Sequence, residues 1–201
     1  MDTIDIRKYF HLRQDCDKCG FSCNEVINSI ITRKRKPAEC AALSESEATA
    51  LDTVLKAESI LPEVPLLTHP RPGTIGLVEI NNPTPVSPVL LSGNNEYTQL
   101  VLMELFSTTS ASFYLLFTDT HGNTVDMAII YNTFDPKRIR KALEEACMEN
   151  RVINKELIIP GVAAGMAEEI RESTGWNIRV GPICGAELPL FFSNIWFPPQ
   201  K

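Results

Sequence analysis

No stretch of this chain approaches the roughly 20 consecutive apolar residues that a membrane helix needs. Its first residues, Met1-Asp2-Thr3-Ile4-Asp5, are acidic and mixed, unlike an export signal. Those two absences lead us to expect a cytoplasmic protein with no membrane partner, in a reducing compartment where crowded cysteines signal metal more often than disulfide. A surplus of positive charge is missing too. The 19 Lys+Arg against 25 Asp+Glu leave a net charge of −6, which argues against nucleic acid as a partner, since phosphate binding needs a basic surface. There is no Gly-x-Ser-x-Gly elbow, no Gly-x4-Gly-Lys loop and no His-Glu-x2-His pair, so the common hydrolase, nucleotide-cradling and zinc-protease machineries are not expected. Asp119, His121 and Asp126 crowd around one turn, where such residues ordinarily satisfy backbone groups. Internal repeats and low-complexity tracts are lacking. At 201 residues with 44% hydrophobic and 22% charged content, the chain has the composition of a globular protein.

What it does have is a run of cysteines. Cys16-x2-Cys19-x3-Cys23 is followed after sixteen residues by Cys40, and only Cys147 and Cys184 lie elsewhere. Thiolates this crowded repel one another and oxidise unless a metal centre neutralises them. Three bunched ligands and one remote ligand suit a cubane of iron and sulfide, with Gly20 allowing the backbone to bend around it. Structural zinc is the rival, although its sites more often show two separated pairs or mixed Cys and His ligands. Cys147 and Cys184 read as ordinary thiols. A basic run, Arg33-Lys34-Arg35-Lys36, stands just before Cys40; it reads as a solvated helix end, with a docking patch for an acidic redox partner as the alternative.

Three segments emerge along the chain. Residues 1–60 form a cysteine-rich helical module. Val26, Ile27, Ile30 and Ile31 are at helical spacing after Cys23, and Ser44 with Glu47 makes a capping box for a second helix. Residues 61–88 are a proline-rich linker, with one strand near Thr74–Ile80. Residues 89–201 alternate strands and helices, and the expected architecture is a three-layer, Rossmann-like α/β domain. Its predicted strands are Val89–Leu91, Ser112–Thr118, Glu156–Ile159 and Trp176–Val180, with helices at Glu96–Phe106, Asp135 to about Asn150, Val162–Ser173 and Ala186–Phe192. Thr124–Ile130 reads as the hairpin partner of Ser112–Thr118 across a His121-Gly122-Asn123 turn.

Two stretches together resemble the large subunit of the corrinoid iron–sulfur protein family, the gamma subunit of acetyl-CoA decarbonylase/synthase. The first runs from Asp15 to Cys23, with Glu39-Cys40, and is similar to the family's N-terminal four-iron module. The second comprises Val89-Leu-Leu-Ser-Gly-Asn-Asn-Glu-Tyr-Thr98, Glu156-Leu-Ile-Ile-Pro-Gly161 and Thr174-Gly-Trp-Asn-Ile-Arg-Val-Gly-Pro182, and is similar to its corrinoid-binding domain. The corrinoid protein of mercury methylation shares that second domain. The resemblance implies a 4Fe–4S cluster on Cys16, Cys19, Cys23 and Cys40 and a base-off cobalamin. The corrinoid contacts it implies are Ser92, Gly93, Asn94 and Thr98; Gly122, Val125, Met127 and Ala128; Pro160, Gly161 and Val162; and Gly181, Pro182 and Cys184. It also implies methyl transfer in anaerobic one-carbon metabolism, with the cluster feeding electrons to cobalt. On that basis the chain is a methyl carrier or electron-transfer component, not a self-contained enzyme. Its partners would be a methyltransferase or barrel-type corrinoid protein subunit and a redox partner.

The chain departs from the family in three ways. The linker stands where the family carries a TIM barrel, a unit of about 250 residues. The third cysteine follows three residues rather than four. Ile130 and Tyr131 replace small residues near cobalt, and Met127 falls where the family has threonine, or the cobalt-ligating cysteine of the mercury-methylation protein. An alternative function is therefore a non-catalytic iron–sulfur electron-transfer or interaction protein that keeps the fold and binds no corrinoid.

Overall fold

A computed structural model describes residues 6–9, 17–65 and 69–199. The chain divides into two compact units. One gathers residues 1–61, 107–110 and 186–201, and the other holds residues 62–106 and 111–185.

The larger unit is built on a mixed sheet. Its strands are β1 (Gly76–Ile80), β2 (Val89–Gly93), β3 (Phe113–Thr118), β4 (Glu156–Ile159) and β5 (Asn177–Val180), in the order β1-β3-β2-β4-β5. β2, β3, β4 and β5 run parallel to their neighbours, and only β1 is antiparallel, to β3. Val89-Leu-Leu and Phe113-Tyr-Leu-Leu-Phe are continuous apolar runs because both faces of these central strands are covered. One face presents Val89, Leu91, Tyr114, Leu116, Leu157 and Ile159 to a single core. Helices α5 (Val125–Ile130), α6 (Pro136–Glu145) and α7 (Ala167–Thr174) supply the opposing Ala128, Ile139, Leu143 and Ile170, with Trp176 buried among them. Helix α4 (Glu96–Ser107) covers the other face, where the rings of Phe106 and Phe113 sit 4.7 Å apart. Helices on both faces of a mostly parallel sheet make the expected three-layer α/β architecture.

The hairpin expected at Thr124–Ile130 is not there; Val125–Ile130 is helical. The reason lies in the sheet. β3 already has β2 on one edge and β1 on the other, so it has no vacant edge for a returning strand. The residues that bury are Val125 and Ala128, three apart, which is the helical period. The proline-rich stretch is likewise stitched into the sheet. Besides contributing β1, it sends Arg71, Pro72 and Gly73 against the ends of β2 and β3. The Arg71 and Gly73 amides donate to the carbonyls of Gly122 and Asn94 at 2.9 and 2.7 Å.

The smaller unit is helical. Helix α1 (Cys23–Ile31) buries Val26, Ile27 and Ile30, and α2 (Glu45–Leu55) adds Leu51 and Val54. Both open on Ser–Glu capping boxes, Ser44 with Glu47 as expected and Ser22 with Glu25 in addition. Short α3 (Ala57–Ile60) follows, and α8 (Leu188–Phe191) returns late in the chain to place Leu190 in the same core. Among the described residues, no helix is long and apolar enough to cross a membrane.

Candidate cofactor sites

The cysteines lie on the smaller unit. Cys19 closes a 3-10 turn (Asp17–Cys19), Gly20 follows with φ +70°, and Ser22 caps α1. The Ser22 hydroxyl accepts from the Glu25 amide at 3.3 Å, and the Glu25 carboxylate accepts from the Ser22 amide at 3.0 Å. The Ser22 hydroxyl also donates to that carboxylate at 2.7 Å, and this bond, with the one from the Ser22 amide, holds the Glu25 carboxyl below its ordinary pKa. Cys23 is fixed by the same cap as the first residue of α1. Cys40 ends the 3-10 turn Pro37–Glu39, its amide donating to the Pro37 carbonyl at 3.0 Å.

All three thiols are half-buried. Cys19 and Cys40 pack against the apolar cluster of Ile6, Val26, Ile27, Ile30, Leu51, Val54 and Leu190, and Cys23 opens the helix that supplies three of those residues. Soft sulfur donors around one apolar cluster fit an iron–sulfur group better than a hard cation. Cys16 lies outside the described residues. Among the described residues, no three or more His, Cys, Asp or Glu side chains are gathered as a metal site. The fold thus brings Cys19, Cys23 and Cys40 onto one small unit but does not draw them into a coordination sphere. Cys147 and Cys184 are exposed, on the other unit.

The predicted corrinoid contacts belong to four loops. Ser92, Gly93, Asn94 and Thr98 follow or end β2. Gly122, Val125, Met127 and Ala128 follow β3. Pro160, Gly161 and Val162 follow β4, and Gly181, Pro182 and Cys184 follow β5. Because these strands are parallel, all four loops occupy the carboxyl edge of the sheet. The path from β2 crosses to β3 on one side, and the path from β3 crosses back to β4 on the other. The edge between β2 and β4 is therefore the topological switch point, where open α/β sheets bind ligands.

The loops are tied together. The Gly161 amide donates to the Pro182 carbonyl at 2.9 Å. A Cβ on Gly161 would lie 2.7 Å from the Ile183 nitrogen and 2.8 Å from the Gly181 oxygen, so two backbones meet where only glycine fits. Asn94 is a second knot. Its side-chain oxygen accepts from the Thr120 amide (2.9 Å), the Thr120 hydroxyl (3.0 Å) and the Gly122 amide (3.1 Å). Asn95 adds a bond from Nδ2 to the Gly122 carbonyl at 2.7 Å and caps α4 by accepting from the Thr98 amide at 3.1 Å.

Several predicted contacts therefore serve the scaffold. Asn94, Val125 and Ala128 are buried, the last two in the core beneath α5. Met127 is half-buried on that helix. Ile130, Tyr131, Val162 and Ile183 are exposed at 68%, 58%, 40% and 75% around the loops after β3, β4 and β5. Sequence reasoning singled out neither Asn95 nor Ile183. The Asn-Asn pair between a strand and a helix was the available signal for the first, since asparagine favours helix N-caps. Asp119, His121 and Arg138 form a surface tie: His121 Nδ1 lies 3.4 Å from Asp119, and the other ring nitrogen 3.3 Å from Arg138. Asp126 is exposed in the first turn of α5, so the trio makes no hydrolytic site.

Replacing Asn94 by alanine is expected to destabilise the protein by about 3 kcal/mol, because buried amides of Thr120 and Gly122 lose their acceptor. Aspartate at the same position keeps the acceptor but buries a charge and loses the bond from Nδ2 to the Gly73 carbonyl, so its loss should be smaller than alanine's without vanishing. Urea unfolding of both variants checks this, and equal losses would show that acceptance is not what Asn94 contributes.

The sequence model of the CO dehydrogenase/acetyl-CoA synthase delta subunit family matches residues 51–191. Acetyl-CoA decarbonylase/synthase complex subunit gamma of Archaeoglobus fulgidus is 28% identical over 70% of this chain and 28% of its own length. The Methanocaldococcus jannaschii subunit gamma is 25% identical over 94% of the chain, too large a share to omit the cysteine segment, and 40% of its own length. The corrinoid/iron-sulfur protein large subunit of Moorella thermoacetica is 30% identical over 60% of the chain and 26% of its own length. The chain thus spans about a quarter to two-fifths of these relatives.

Proposed function

Because the chain belongs to the CO dehydrogenase/acetyl-CoA synthase delta subunit family, we propose that it is a corrinoid iron–sulfur component of methyl transfer in one-carbon metabolism. Cys16, Cys19, Cys23 and Cys40 would hold a 4Fe–4S cluster, and the loops at the carboxyl edge of β2–β5 would hold the corrinoid. The corrinoid's cobalt would take up and hand on a methyl group, and the cluster would supply single electrons to it.

What carries the reading is the convergence of four motif-derived loops on one switch point of a parallel sheet. Each part of that edge has a task. Gly161 and Gly181 let the last two loops close on each other, and Asn94 holds the loop after β3 against the loop after β2. Val162 and Ile183 would lie against the ring and exclude water from it. Pro160 and Pro182 fix the backbone beside the two meeting glycines. A methyltransferase and a barrel-type corrinoid subunit are the partners this reading proposes, since residues 61–88 stand where the family resemblance places a barrel.

Protein purified without oxygen should carry about four irons per chain and a broad violet absorbance, and titration with base-off cobalamin should shift the corrin bands. Zinc in place of iron would remove the cluster. Iron without a corrin shift would favour the second reading, an electron-transfer or interaction protein. The burial of Val125 and Ala128 speaks for that reading, because two of the implied contacts are occupied by the core.

A further inference from the structure

We propose that Phe21, Lys18, Arg33, Lys34, Arg35 and Lys36 form the surface on which a small acidic protein carrying a one-electron centre docks. The proposal rests on the cluster reading above. The basic run links α1, which opens at Cys23, to the turn that ends at Cys40. It is held in place: Arg33 takes a positive φ of 60°, its guanidinium donates to the Leu55 carbonyl at 2.8 Å, and the Lys34 and Arg35 amides donate to the Ser29 carbonyl. The Arg35 guanidinium lies 4.4 Å over the ring of Phe21.

Phe21 is 53% exposed and sits between Cys19 and Cys23. An exposed aromatic inside the ligand loop contributes nothing to a core, and it is bracketed by cations. Lys18, Arg33, Lys34 and Lys36 are all exposed. The carboxylates beside them, Glu25 bonded by Ser22 and Glu39 by the Lys36 amide at 3.3 Å, keep their charge but are outnumbered by the cations of the run. In a chain of net charge −6, this patch is of the opposite sign to the whole. Charge complementarity then selects an acidic partner. Arg and aromatic side chains are also the types that anchor interfaces. In the step served, the partner's reduced centre loses one electron and the oxidised cluster gains it, with no bond made or broken.

The test uses the full chain, its Lys34→Glu/Lys36→Glu variant and a Lys137→Glu/Lys141→Glu control of equal charge change. Cluster reduction is timed with a reduced, acidic two-cluster ferredoxin and with a zwitterionic viologen, at low and high salt. Binding of the ferredoxin is measured separately by calorimetry. We expect the ferredoxin rate to fall at least about tenfold in the first variant at low salt, the viologen rate to hold, and the control to behave as the parent. A rate that ignores both salt and the reversal overturns the proposal. So does loss of binding to single-stranded DNA or anionic vesicles in that variant while the ferredoxin rate is kept. If iron analysis finds no cluster, binding still decides: a salt-sensitive Kd lost in the variant supports the surface, and equal binding overturns it.

Discussion

Cys40→Ser is expected to yield a colourless protein with fewer than about one iron per chain where the parent holds about four. Of the four proposed ligands it is the isolated one, reached only after α1 and the turn Pro37–Glu39. Its loss leaves three thiolates on one short loop and a hydroxyl that binds iron poorly. The stability effect should be large as well. The smaller unit is built on a few residues of α1, α2 and α8, and in so small a core the free energy of metal binding is folding free energy. Cys147→Ser, at an exposed thiol of the other unit, serves as the control and should keep both colour and iron. Iron analysis and absorbance spectra of the two variants decide the matter. A Cys40→Ser protein with a full complement of iron would remove Cys40 from the ligand set.

Gly122→Ala should destabilise the larger unit by about 3–4 kcal/mol, near the top of the range for a single substitution. Gly122 has φ +77°, where a Cβ is strained. That Cβ would also lie 2.3 Å from the Pro72 nitrogen and 2.4 Å from the Arg71 carbonyl carbon. Nothing flexible stands in the way to yield; the obstruction is backbone. Relief requires Arg71–Gly73 to lift from the carboxyl edge, which breaks the Arg71-to-Gly122 bond and strains the Gly73-to-Asn94 bond. Hydrogen exchange should show the loss first at Arg71, Gly73 and Gly122, and thermal unfolding should register it globally. Gly165→Ala, where a new Cβ meets nothing within 4 Å, should lie within about 0.5 kcal/mol of the parent. Equal effects at the two glycines would refute the close-packing argument.

Much of this edge was readable because parallel strands announce themselves. The apolar runs of β2, β3 and β4, followed by Asn94, Asp119 and Pro160, gave both the strands and the loops that end them. The Ser44–Glu47 box before α2 was equally plain, being local hydrogen bonds at fixed spacing, whereas the same pattern at Ser22–Glu25 went unread inside the cysteine run. The hairpin expectation failed for a non-local reason. Val-Asp-Met-Ala-Ile-Ile is rich in β-branched residues, and only the placement of β1 against β3, from some fifty residues upstream, denies that segment an edge. The same non-locality hid the role of Arg71–Gly73, which as sequence is proline-rich spacer and in the fold buttresses Gly122. Within the candidate sites, residue identity pointed to the loops but not to the direction of each side chain. Val125 and Ala128 turn into the core, whereas Ile130 and Tyr131 face solvent, a distinction set by helical phase.

The return of residues 186–201 to the cysteine-bearing unit has a consequence for biosynthesis. Leu190 completes an apolar cluster whose other members, Ile6 to Val54, leave the ribosome much earlier. At about 5–20 residues per second, the nascent thiols wait roughly 8–30 seconds before their last hydrophobic neighbour exists. During that interval they are open to oxidants, so timing of translation, as much as final geometry, would govern whether the proposed iron or oxygen reaches the sulfurs first.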